Sequence, residues 1–146
     1  TPLPYAPYMR EQGYRQAFAD YKLEVEEELV LSQQQILESN RMPELLVRHR
    51  PDVVFVGSKG GMVPVFAALE SVRNQLKKPV YLICFDDVQD YEYIAGMPIS
   101  GIVMPFGKMA KRALQYLTAS CRNGAQPPLR EILTPSIIVN ECPFLI

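Results

Sequence analysis

The sequence predicts a layered α/β domain, a parallel sheet flanked by helices, and the prediction comes chiefly from residues 53–87. Val53-Val54-Phe55-Val56 is an unbroken apolar run that reaches the turn Gly57-Ser58-Lys59-Gly60-Gly61. Met62, Val65, Phe66, Leu69, Val72 and Leu76 then recur at helical spacing, and a second apolar run, residues 80–85, ends in Asp86-Asp87. Continuous apolar runs suit strands covered on both faces, as in parallel sheets, so these observations describe one βαβ unit. Such crossovers are almost always right-handed. Ser58-Lys59 and Asp86-Asp87 both fall just beyond the carboxyl ends of strands, where open α/β sheets bind ligands.

The remaining elements follow in order. Pro2, Pro4 and Pro7 make residues 1–7 an extended leader. Residues 9–21 have helical spacing at Met9, Tyr14, Ala17, Phe18 and Tyr21. Residues 24–31 read as a strand with an acidic outer half and a buried end, Leu29-Val30-Leu31. A helical pattern spans 33–47, with Pro43 set to kink or restart it. Residues 88–98 lack a period and read as a loop. A short strand at 100–104 precedes a helix at 105–122, opened by Pro105. The stretch 123–128 (NGAQPP) is a turn by composition. A final strand is expected over 130–140, interrupted by Pro135.

Composition bounds the function. A chain of 146 residues supports one well-buried domain. With 15 basic and 16 acidic residues it advertises no nucleic-acid or anionic-membrane surface. No apolar run approaches the roughly 20 residues that span a bilayer. Cys84, Cys121 and Cys142 are odd in number and widely separated, and His49 is the only histidine. No metal-ligand spacing exists, and reduced thiols in a cytoplasmic protein are the expected state.

The glycine-rich turn places backbone N–H groups where they could cradle an anion, but it matches neither the P-loop nor the dinucleotide pattern. Its plain alternative is a tight βα connection. Asp86-Asp87 could accept hydrogen bonds from hydroxyls, chelate magnesium, or simply cap a loop. Arg10 taken alone is a solvated surface arginine, and residues 24–28 and Lys77-Lys78 are solvated charge. No nucleophile–base or paired-carboxylate constellation can be assembled, so no enzyme is expected and no cofactor is called for.

Five short motifs in register resemble the lac/gal (LacI/GalR) repressor family, bacterial transcription factors with a DNA-binding head and a core like the periplasmic sugar-binding proteins. They are Arg10-x-x-Gly13-Tyr14-Arg15-x-Ala17-Phe18, then Pro51-Asp52-Val53-Val54-Phe55-Val56, then Ala67-Ala68-Leu69, then Cys84-Phe85-Asp86-Asp87, and Met97-Pro98 through Met104-Pro105. The resemblance covers residues 9–140 and matches the C-terminal half of that core, a type I periplasmic-binding-protein-like subdomain. It implies that the DNA-binding head and most of an N-terminal subdomain lie upstream of Thr1. It assigns 8–99 and 129–142 to the C-terminal effector-binding subdomain. The strand and helix at 100–122 become a crossover belonging to the N-terminal subdomain. Met109, Ala113, Leu114 and Leu117 on that helix would then need another partner, a second copy of the chain or an altered packing site.

The resemblance also implies an effector site. Arg10 carries the family's arginine, and Asp86, with Phe85 beside it, its hydroxyl acceptor. Ser58 and Lys59 replace the usual Asn-Asp, which reverses a charge and implies either a different effector, one carrying phosphate that Lys59 could pair with, or a decayed pocket, and Ser32 falls at a further cleft position. The expected partners are a sugar or phosphosugar effector, a second copy in a homodimer, and operator DNA through a head domain absent from this chain, with no membrane. The alternatives are a solute-binding protein of a sugar transporter, which shares the core, and a magnesium-dependent phosphate enzyme using Lys59 and Asp86.

Overall fold

The computed structural model describes residues 5–37, 41–86, 99–124 and 127–140. Its centre is a four-stranded sheet in the order β1 (Val53–Val56), β2 (Tyr81–Phe85), β3 (Ser100–Val103), β4 (Ser136–Ile138). β1 and β2 run parallel, with Val53 opposite Tyr81 and Val56 opposite Cys84. β2 and β3 are also parallel, with Phe85 opposite Ile102. β4 is antiparallel to β3, Gly101 facing Ile138, so the sheet is mixed and not wholly parallel. The expected strand at 130–140 shrinks to three exposed residues that begin directly after Pro135. An edge position tolerates that proline, which could not donate to an interior ladder. Asn140 closes the strand: its N–H donates to Ser100 Oγ at 3.0 Å and its Nδ2 to Ile99 O at 2.9 Å.

Side-chain alternation splits the sheet into two faces of different character. On one face Val54, Val56, Leu82 and Cys84 meet α3 (Arg41–His49) and α4 (Met62–Ser71). Met42, Leu46, Met62, Val65, Ala68 and Leu69 supply the helical side of this core, and Met62 and Leu69 are fully buried. The predicted helix after the glycine turn ends earlier than its apolar spacing suggests. A 3-10 turn, Arg73–Gln75, follows it, yet Val72 and Leu76 still reach the core. Gly61 precedes α4 where a Cβ would stand 3.0 Å from Val56 Cγ1, so any side chain there requires Val56 to give way by a few tenths of an ångström.

The other face carries Phe55, Ile83, Phe85 and Ile102, in register across the three parallel strands. It is covered in part by α1 (Tyr5–Asp20), where Tyr14 stacks parallel to Phe55 with centroids 6.5 Å apart. α1 begins earlier than expected: Tyr5–Pro7 are helical and not an extended leader. Pro7 lies in the first turn, where its missing N–H has no intrahelical acceptor to lose.

The expected strand at 24–31 is not formed. Residues 27–29 make a 3-10 turn instead, closed by Leu29 N–H to Glu26 O and Val30 N–H to Glu27 O. Its side chains explain why. Arg15 of α1 grips Glu27 at 2.5 and 2.8 Å, and Arg48 and His49 of α3 hold Glu28 at 2.8 and 2.9 Å. Side chains from two helices fix this acidic segment, and a local turn serves them better than a sheet ladder. Helical residues are described on both sides of 38–40, as α2 (Gln33–Leu37) and α3, with Pro43 in the first turn of α3, and residues 38–40 lie outside the described residues.

α5 (Phe106–Asn123) has its apolar residues Phe106, Met109, Ala113, Leu114 and Leu117 all exposed. Arg112 joins it to Glu131 at 2.8 Å, and Tyr116 Oη donates to Pro127 O at 2.9 Å. The loop expected at 88–98, Asp87, part of the NGAQPP turn and Cys142 lie outside the described residues. Among the described residues no helix is long and apolar enough to cross a membrane.

Candidate functional site

Three of the sequence-derived site residues converge where β1 and β2 end. Arg10, on the sheet-facing side of α1, donates from Nη1 to the Gly57 carbonyl at 2.7 Å. Its guanidinium carbon lies 3.8 Å from the centroid of the Phe85 ring, a cation–π contact, and Nη2 stands 3.6 Å from Asp86 Oδ1. That last distance is too long for a hydrogen bond, so Asp86 acts on Arg10 as a neighbouring charge. The side chains of Arg10 and Asp86 keep 21% and 26% of their exposure, so both remain partly accessible.

Asp86 sits in the left-handed half of backbone space, φ +95°, and its N–H donates to Ile102 O at 3.0 Å. A non-glycine residue held there costs on the order of 1–3 kcal/mol, and such strain concentrates at ligand sites. Asp86→Gly is therefore expected to raise stability by about 1 kcal/mol in urea unfolding, the relieved strain exceeding a weak ion pair. A net loss would instead show that the pairing with Arg10 outweighs the backbone strain.

Ser58 and Lys59 occupy the turn after β1. Ser58 is extended (φ −158°, ψ 149°) and precedes a 3-10 turn, Lys59–Gly61, without spending its hydroxyl as a cap. Lys59 joins Arg10 and Asp86 in the electrostatic surroundings of the Cys84 thiol. Ser32 has a local role. It caps α2 through a reciprocal pair: its Oγ accepts the Gln35 N–H at 3.3 Å, and Gln35 Oε1 accepts the Ser32 N–H at 2.8 Å.

Beside Arg10 opens a cleft of about 490 Å³, lined by Met9, Arg10, Gly13 and Tyr14 of α1 and by Phe55, Phe85 and Ile102 of the sheet. Burial raises the Tyr14 phenol above its ordinary pKa, with Arg15 opposing and Glu26 adding to the shift, so it stays a neutral donor. Sequence reading alone did not mark Met9, Gly57, Tyr14, Phe55 or Ile102 as site residues. The strand alternation that sends Val54 and Val56 into the core sends Phe55 the other way, which was the available signal.

Cys84 lies under this site, fully buried. Burial first, then the Asp86 carboxylate, push its thiol up to about 11 against the opposing pull of Arg10 and Lys59. Only the thiolate reacts, and below that pH the thiol form dominates. Iodoacetamide at pH 8 should modify the exposed Cys121 and leave Cys84 unmodified in the folded protein, as read by peptide mass mapping. Rapid native-state labelling of Cys84 would contradict the packing described.

Comparison with known proteins agrees with this architecture. A family model described as a periplasmic binding protein-like domain matches residues 2–141. Among solved structures, the chain is similar to a candidate transcription regulator from Staphylococcus saprophyticus subsp. saprophyticus. The TM-score is 0.66 at 19% identity, over 90% of this chain and 50% of that one. At that identity the likeness is one of fold, and this chain spans half the length of its structural neighbour. Comparison with curated protein sequences returns no match. Since the family match takes in nearly the whole sequence, the chain belongs to the periplasmic binding protein-like domain family.

Proposed function

We propose that this chain is the effector-sensing and dimerising part of a cytoplasmic transcription regulator of the lac/gal repressor type, a binding protein and not an enzyme. The observation that carries the reading is Arg10, reaching from α1 across the ends of β1 and β2 to Gly57, Phe85 and Asp86 beside an open cleft. The regulator-like fold of the structural neighbour supports it. A sugar or phosphosugar is the effector class that the resemblance implies. Arg10, Ser58, Lys59, Phe85 and Asp86 would contact it, with Ser32 the least central because its hydroxyl caps α2.

A ligand gripped by both Arg10 and the strand ends favours whichever placement of α1 on the sheet lets both engage. That differential affinity is what would bias operator binding through a separate DNA-binding head. The strand expected to cross to an adjoining subdomain, residues 100–103, instead stays in this sheet between β2 and β4, while the exposed apolar face of α5 calls for a covering surface that an adjoining subdomain would supply. The homodimer is part of the same reading.

Thermal unfolding against free sugars, phosphosugars and nucleobases, repeated with Lys59→Asp, tests the proposal. A ligand that binds only the folded state must raise the melting temperature by mass action. A phosphosugar hit lost in the variant is the expected result for this effector class. A neutral-sugar hit indifferent to Lys59→Asp would keep the regulator and remove phosphate recognition. Metal-dependent phosphate turnover abolished by Asp86→Ala would overturn the binding-protein reading in favour of an enzyme.

A further inference from the structure

The chemistry of the cleft wall narrows what the effector can be. Of its lining residues only Arg10 is ionic, and only Tyr14 adds a polar side-chain group. Met9, Phe55, Phe85 and Ile102 supply apolar surface, and Gly13 leaves the α1 wall open, with nothing within 4 Å of a Cβ built there. Polyol hydroxyls turned towards these walls would find only Arg10 and the Tyr14 phenol as side-chain partners, at a cost in affinity for each one left unpaired. A flat hydrocarbon ring meets no such penalty. Tyr14 and Phe55 are stacked on each other, parallel to within 2° with centroids 6.5 Å apart, so the wall is already an aromatic pair to which a further ring can add contacts.

The cleft also has one pole. Arg10 stands at its edge, and its present partners are a backbone carbonyl, a ring face and a carboxylate beyond hydrogen-bonding distance. A carboxylate or phosphate could take two parallel N–H bonds from its fork, which none of these partners does. Asp86, 3.6 Å from Nη2, offsets part of the Arg10 charge without occupying the hydrogen-bonding positions of the fork.

From this geometry we infer that the cleft takes an aromatic acid, a planar ring bearing one anionic group, with the ring against Phe55 and Phe85 and the anion on Arg10. The inference rests on the effector-binding reading and changes only the class of effector, from polyol to aryl anion.

Calorimetric titration with four probes separates the ring from the charge. They are benzoate (ring and anion), phenol (ring alone), glucose 6-phosphate (anion on a polyol) and glucose. Benzoate should bind at least about tenfold more tightly than each of the other three, the order expected when the ring contacts and the Arg10 pairing act together. Phe55→Leu, which keeps apolar bulk and removes the ring, should weaken benzoate by roughly three- to tenfold and leave glucose 6-phosphate unchanged. Circular dichroism would establish that the variant is folded.

Tighter binding of glucose 6-phosphate or glucose overturns the aromatic class and leaves the effector-binding reading standing. Equal affinity for benzoate and phenol overturns the anion requirement at Arg10. No binding of any probe overturns the inference. If the sugars, phosphosugars and nucleobases of the thermal panel are silent as well, the effector-binding reading falls with it.

Discussion

Leu69→Ala should cost about 3–5 kcal/mol of folding free energy, the largest stability effect expected of any single change in this chain. Leu69 is fully buried on the sheet-facing side of α4, among core residues contributed by β1, β2 and α3. Truncation removes the transfer free energy of the lost methyl groups. It also leaves a cavity that the surrounding core relaxes to fill only in part. Urea unfolding should show a lower midpoint with an unchanged slope. The matched control is Ile132→Ala. Ile132 is 88% exposed, so its truncation should move stability by less than about 0.5 kcal/mol. Equal effects at the two positions would mean that the helical layer is not the core.

Arg10→Met should weaken binding of an anionic effector by about 30-fold or more, since truncating one partner of a hydrogen-bonded charge pair that the ligand buries typically costs about 2–5 kcal/mol. Methionine keeps much of the side-chain length and apolar bulk, so the loss isolates the guanidinium. Folding stability should fall far less, by about 1 kcal/mol, because what the free protein loses is one partly exposed hydrogen bond and one cation–π contact. Calorimetry with benzoate and with glucose 6-phosphate, paired with urea unfolding, separates the two quantities. Unchanged affinity would remove Arg10 from the site, and a stability loss matching the affinity loss would make it a structural residue.

The parts of the fold that could be read from sequence are those whose determinants are local. β1, the glycine turn, α4 and β2 follow from two apolar runs and one helical period, and each lies within a residue or a few of its expected place. Residues 24–31 failed because their conformation is set from outside. Arg15, Arg48 and His49 hold Glu26, Glu27 and Glu28, and no periodicity within the segment records that. Tyr5–Pro7 failed for a different reason, since a proline that breaks a helix interior is tolerated in its first turn. The orientation of β4 depends on its pairing with β3, which composition does not encode.

The site divides along the same line. Arg10, Phe85 and Asp86 were found through the family resemblance, and they do meet. Gly57 could not be found that way because it contributes a backbone carbonyl, which every residue has. Phe55 and Ile102 emerge only once strand register shows that they share a face with Phe85. Ser32 had a competing local explanation in plain view, the Ser-x-x-Gln pattern of a capping box, and the structure uses its hydroxyl that way.

The central claim is that small molecules bind between α1 and the open face of the sheet, and an NMR titration locates binding most directly. Benzoate and glucose 6-phosphate would be added separately to the ¹⁵N-labelled protein, following the backbone amides. The account predicts saturable shifts from at least one of them, centred on Arg10, Gly13, Gly57, Phe85 and Asp86 and absent in Arg10→Met. Saturable shifts confined to α5 or to the acidic turn at Glu27–Leu29, with the Arg10 cluster unmoved, would contradict it.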